Sequence, residues 1–423
     1  MQIYHANIIH TPERQRFEVI PHGYVAVSDG RVEGVYRELP AHLADCPVTD
    51  WGDRLLIPAM NDMHVHAPQY RNQGIAMDEE LLPWLQNYTF PEELKYADTA
   101  YAARMYRHFV HDLWRHGTMR AVAFASVHFE STRILMRLLD DAGMGGRVGK
   151  VNMNRNCPEG LQESVEEARA ACDALVQEFE REDSRVRPIV TPRFIPSCTP
   201  DLLAACGEMA RRYHLPVQSH LSENHDEIAL VRALEPESRH YADAYDRYGL
   251  LGPSTVMAHC VWTDGDEFEM LRQRGVMVAH CPTSNFNVAS GLAPVRRFLD
   301  AGIPVGLGSD VSAGHDFSIF RMMVYAIQVS KMHYERDHSC AFLTLSEAFW
   351  MATKCAGAFF GRVGSFEPGY DFDALVIDDS PLVIDDSYTL LQRLERFVYI
   401  GDDRHIAARY CQGRLIPDPL SIP

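Results

Sequence analysis

His64 and His66 stand two residues apart in the stretch Asp62-Met63-His64-Val65-His66. On an extended chain that spacing turns both imidazoles to the same side, where they can share one ligand. Further on come His220 with Glu223 three residues later, then His259, then Asp310. His64, His66, His220 and Asp310 together make a nitrogen-and-carboxylate set suited to Zn2+. Fe2+ or Mn2+ would satisfy the same donors, so residue type alone leaves the metal open. Zinc brings the pKa of a coordinated water down toward ~7, which is hydrolytic chemistry at neutral pH. A lone histidine means little in a chain that has 20. The signal is positional: each of these residues ends or follows an apolar segment.

Those segments define the scaffold. Eight candidate strands cover 55–60, 120–125, 147–153, 186–192, 215–221, 254–260, 276–281 and 303–310. Helical patterns separate them; between the third and fourth, Leu161, Val165, Ala168, Cys172, Leu175, Val176 and Phe179 recur at helical spacing. Apolar strands alternating with helices indicate a parallel sheet covered on both faces. Eight such units predict an α/β fold, a (β/α)8 TIM-type barrel over 59–363, although periodicity alone is also compatible with an open doubly wound sheet. In a barrel the carboxyl ends of all strands open onto one face, where active sites are built. His64 and His66 follow the first strand, Arg193 and Phe194 the fourth; His220 ends the fifth, His259 the sixth and Asp310 the eighth. Residues far apart in the chain would thus meet at one mouth. Segments 1–58 and 364–423 read as short β runs, with Asp29-Gly30 as a hairpin signal. They are expected to pair into a small β-sandwich domain beside the barrel.

Composition narrows the partners. With 423 residues, 46% hydrophobic and 23% charged, the chain has ordinary globular composition. A net charge of −18 argues against a nucleic-acid partner but not against a neutral base or nucleoside. The N-terminal stretch lacks the apolar core of a signal peptide and no run is long enough to span a membrane, so a cytoplasmic location is expected. The 10 cysteines include no CxxC pair and are expected to be free thiols. His128-Phe129-Glu130 imitates half of the small zinc-deaminase motif, but no PCxxC follows. Gly306-Leu307-Gly308 lacks the third glycine of a dinucleotide loop. Two-metal barrel hydrolases commonly hold their ions with a modified lysine at the end of strand four. Here that strand ends in Thr191-Pro192-Arg193, and arginine stays cationic. One ion per chain is therefore expected.

At this point the residues resemble a known family, the amidohydrolase superfamily. The resemblance runs through Asp62–His66, Ser219-His220-Leu221-Ser222-Glu223, Ala258-His259-Cys260, Cys281-Pro282-Thr283-Ser284-Asn285 and Gly308-Ser309-Asp310. Three further segments resemble its guanine deaminase branch: His66-Ala67-Pro68-Gln69-Tyr70, LPWLQNYTFPEE (82–93) and Thr191-Pro192-Arg193-Phe194. By that resemblance Gln69, Arg193 and Phe194 contact a purine, and their amide, guanidinium and ring suit the task. The resemblance also implies a homodimer, and a metal-ligand role for His259 beside its catalytic one. The implied reaction is hydrolysis of guanine to xanthine and ammonia. Asp310 would take a proton from the attacking water, Glu223 would protonate the ring nitrogen beside the carbon attacked, and His259 would steady the alkoxide. Gly314-His315-Asp316 departs from the small or hydroxyl residues more usual after strand eight, which leaves a pterin, another purine or a triazine as the alternative ring.

Overall fold

The computed structural model describes residues 1–421 apart from 384 and 386. Its strands, in chain order, are β1 (Gln2–Glu13), β2 (Arg16–Ser28), β3 (Arg31–Tyr36), β4 (Val48–Pro58), β5 (Met60–His66), β6 (Thr118–Phe124), β7 (Gly145–Gly149), β8 (Val151–Asn152), β9 (Val186–Pro188), β10 (Thr191–Pro192), β11 (Val217–Leu221), β12 (Thr255–His259), β13 (Met277–His280), β14 (Val305–Leu307), β15 (Ala374–Ile377), β16 (Ile406–Cys411) and β17 (Arg414–Leu415).

The two ends of the chain meet, as expected. Their strands form one mixed sheet in the order β17-β16-β15-β4-β1-β2-β3. A sandwich of two sheets was expected; among the described residues these strands are hydrogen-bonded into a single sheet. Asp29 (φ 49°) and Gly30 (φ 78°) make the β2–β3 turn, both in the left-handed region that a tight two-residue hairpin needs. One face of the sheet buries Tyr4, Ile8, Val25, Ala374 and Tyr410 with Phe372. The Tyr4 ring stacks on Phe372 at 4.6 Å and meets Tyr410 edge-on at 5.1 Å, so strands far apart in the sheet share one apolar cluster. Ile9, Leu55, Ile57, Leu375 and Ile377 join the larger core instead. Arg120 on β6 ties this sheet to the rest, donating to Asp373 at 2.6 Å and Asp371 at 2.8 Å.

The middle of the chain is a TIM-type α/β arrangement of parallel strands. One set runs β5-β6-β7-β9, a second β11-β12-β13-β14, and β8 pairs with β10. Backbone bonds join the sets on both sides. Val190 N–H donates to Pro216 (3.0 Å) and Gln218 N–H to Val190 (3.0 Å); Asp310 N–H donates to His64 (2.8 Å) and His66 N–H to Val311 (2.9 Å). Helices cover the strands. The helix Val165–Phe179 starts on a capping box of Ser164 and Glu167 and buries Ala168, Ala171, Leu175 and Phe179. No helix among the described residues is long and apolar enough to cross a membrane.

One expectation needs correction. The first strand of the parallel set is not 55–60. Residues Leu55–Pro58 close β4 of the terminal sheet, and β5 begins at Met60. His64 and His66 therefore lie within the strand. Four of the six residues Asn61–His66 are polar, yet every one is buried. They can be, because they satisfy one another: Asp62 accepts from the backbone N–H groups of His64 (3.1 Å) and Ser309 (3.0 Å).

Candidate active site

The strand ends deliver the expected residues to one place. β5 supplies His64 and His66, β11 His220, the end of β12 His259, and the turn after β14 Asp310. The Nε2 atoms of His64 and His66 are 3.2 Å apart, and those of His66 and His220 3.1 Å apart. Asp310 Oδ1 stands 3.2 Å from His64 Nε2 and 3.4 Å from His66 Nε2. His259 Nε2 is 3.8 Å from Asp310 Oδ2.

Proton placement decides what these atoms can do. His220 Nδ1–H donates to the Arg193 carbonyl at 2.6 Å, and His259 Nδ1–H to Asn285 Oδ1 at 2.9 Å. Both rings therefore turn an Nε2 lone pair inward. Among the described residues, buried His259 Nε2 has no hydrogen-bond partner. Burial, reinforced by neighbouring imidazoles, holds His64, His66 and His220 well below the usual histidine range, so they are neutral. Lone pairs crowded at such distances repel unless a cation lies between them. Nitrogens bound ~2.0–2.1 Å from one tetrahedral ion stand roughly 3.3 Å apart, close to the spacing here. The donor set fits a divalent metal ion of zinc's kind, and His259 offers a further nitrogen beside it.

Beside the donors lies a cavity lined by His66, Gln69, Leu81, Trp84, Leu85, Arg193, Phe194, His220, Glu223, His259, Asp310 and Ala313. Every residue given a ligand, catalytic or substrate role from the sequence is thus either in its wall or, like His64, among the donors. Glu223 accepts from Ser290 Oγ at 3.0 Å and sets its other oxygen 3.4 Å from His259 Nε2. Burial, with Asp310 nearby, pushes its carboxyl up to about 8. Asp310 is pushed up to about 6, chiefly by burial. His280 is fully buried, neither ring nitrogen is bonded among the described residues, and it stays outside the wall. His315 is exposed, paired with Asn287 at 3.0 Å.

The wall is held by unusual backbone. Ser222 (φ 46°), His259 (φ 71°), Cys260 (φ 49°) and Asp310 (φ 48°) are all non-glycine residues in the left-handed region. Such conformations cost about 1–3 kcal/mol each and persist where surroundings enforce them. Of the eleven such residues among the described ones, these four stand at strand ends beside one cavity.

Comparison with known proteins agrees. Residues 55–416 match the model of the amidohydrolase family. The chain belongs to that family. Among curated relatives of this amidohydrolase, guanine deaminase of Dictyostelium discoideum is 34% identical, covering 98% of both chains. Guanine deaminase of Escherichia coli (strain K12) is 33% identical, covering 94% of this chain and 91% of that one. Among solved structures, guanine deaminase from C. acetobutylicum with bound guanine in the active site is 47% identical with a TM-score of 0.97, covering 98% of this chain and 100% of that one.

Four residues of the amidohydrolase site were not assigned roles from the sequence: Asp62, Glu93, Asn285 and Ser290. The first three stand in motifs already singled out, so a signal existed. Ser290 had none, being a loop serine whose partner is 67 positions away.

Proposed function

We propose that this amidohydrolase is a guanine deaminase that holds one zinc ion and converts guanine and water to xanthine and ammonia. The observation that carries it is the single cavity in which the imidazole and carboxylate donors share a wall with Gln69, Arg193, Phe194 and Glu223. His64, His66, His220 and Asp310 would hold the ion, with His259 alongside. The bound ion supplies a water activated at neutral pH.

The protein's own groups do the rest. Phe194 and the apolar Leu81, Trp84 and Leu85 receive the flat ring, while Arg193 donates to its 6-oxo oxygen. At pH 7 Asp310, with a pKa raised only to about 6, remains mostly ionised and takes a proton from the attacking water. Glu223, raised to about 8, starts protonated and delivers that proton to the ring nitrogen beside C2. His259 steadies the alkoxide that develops at C2. The C2–N bond then breaks: the proton held by Asp310 passes to the amine, which leaves as ammonia, and Glu223 assists by taking back the proton of the new C2 hydroxyl as the carbonyl forms.

A pterin, another purine or a triazine is the alternative that His315 suggests. That side chain is exposed and outside the cavity wall, which removes its main support. The reading also includes a homodimer in the cytoplasm, a closed eight-stranded barrel over 59–363, and a terminal domain of 1–58 with 364–423; the backbone bonds joining both seams support the closure. Ammonia release from guanine, isoxanthopterin and adenine, measured side by side on zinc-loaded protein, tests the assignment. Guanine should show the highest kcat/KM; preference for either of the others, or no release at all, would overturn it.

A further inference from the structure

Behind the cavity wall lies Glu93, the last residue of the short helix Phe90–Glu93, with only 3% of its surface exposed. It does not line the cavity, but two residues that do are bonded to it. Gln69 Nε2 donates to Glu93 Oε1 at 2.9 Å. Arg193 Nη1 donates to Oε1 at 3.0 Å and to Oε2 at 2.7 Å. The Phe90 ring lies 5.2 Å from the guanidinium carbon of Arg193.

An ionised carboxylate only accepts, so Gln69 must turn its NH2 toward Glu93. The amide oxygen is thereby kept on the other side, 3.5 Å from Ser312 Oγ. Arg193 commits Nη1 to Glu93; among the described residues its Nε and Nη2 donors have no protein acceptor. One buried carboxylate thus fixes the orientation of both polar groups in the wall and balances the buried cation.

Resting on the deaminase reading above, we infer that Glu93 is a positioning residue that sets the enzyme's preference for 6-oxo over 6-amino purines. Guanine offers an acceptor, O6, beside a donor, N1–H. Arginine donors and a locked amide oxygen complement that order. A 6-amino purine offers the reverse, a donor beside an acceptor. A glutamine free to flip could meet N1 in either form; Glu93 forbids the flip.

The test is E93Q, with KM and kcat for guanine and Ki for 2,6-diaminopurine as a competitor. The new amide can accept or donate, so Gln69 is released and Arg193 loses its counter-charge. Hydrogen bonds to charged groups of this kind are worth enough to predict a guanine KM roughly 10- to 100-fold higher. The competitor's Ki should stay level or fall, so the selectivity ratio narrows, while kcat changes far less and zinc per chain stays at the wild-type value. E93D keeps the charge on Arg193 and only retracts the carboxylate; it should narrow the ratio in the same direction by less. An unchanged ratio in both variants, including the case where both ligands weaken together, would overturn the inference. Wild-type protein that releases no ammonia from guanine would instead sink the deaminase reading, and this inference with it.

Discussion

Glu223 shows how one side chain can be readied by its surroundings. Ser290 holds one oxygen, His259 stands beside the other, and burial raises its pKa to about 8, so it carries a proton at neutral pH. Replacing it with glutamine preserves the shape and the Ser290 bond but removes the exchangeable proton. E223Q should retain its metal while kcat falls by ~10²–10⁴-fold, read by ammonia release and elemental analysis on one preparation. Near-normal turnover would remove Glu223 from the mechanism. At this scale most of the site was legible in the sequence. His64, His66, His220, His259, Asp310 and Glu223 declare themselves by type and by place after apolar runs. Supporting residues such as Ser290 do not, because a serine in a loop has no chemistry until folding brings it to a carboxylate.

The elements explain both the success and the one displaced strand. Parallel strands read as apolar runs because both faces are covered, and seven of the eight were legible for that reason. The first was placed too early, since the apolar run Leu55–Pro58 belongs to the terminal sheet while β5 carries buried Asp62, His64 and His66. A strand whose buried places are half polar leaves only the short alternation of Met63 and Val65 as an apolar signal. Its seam with the β14 turn is tight. A Cβ added at Gly308 would stand 2.9 Å from both Cys281 Sγ and His64 Cβ, closer than real contacts allow. G308A should therefore push His64 away from Asp310, lowering metal occupancy and costing stability by about 1–3 kcal/mol. Full metal loading with an unchanged melting temperature would show that the seam tolerates the methyl group.

Over the whole molecule, the two chain ends close into one sheet that buttresses the parallel strands, cross-linked by Arg120 to Asp371 and Asp373. That pairing was expected from short β runs at both ends; the single sheet, rather than two, follows from β4 hydrogen-bonding to β1 on one side and β15 on the other, a register that spacing along the chain does not encode. The architecture serves one end: bringing imidazoles and a carboxylate from distant segments onto a common point. Elemental analysis combined with guanine turnover, on wild-type protein and on the H64A/H66A pair, examines that point most directly. One zinc ion per chain, lost together with turnover in the double variant and on chelation, is the expected result. Full guanine turnover in metal-free protein, or two ions per chain, would contradict it.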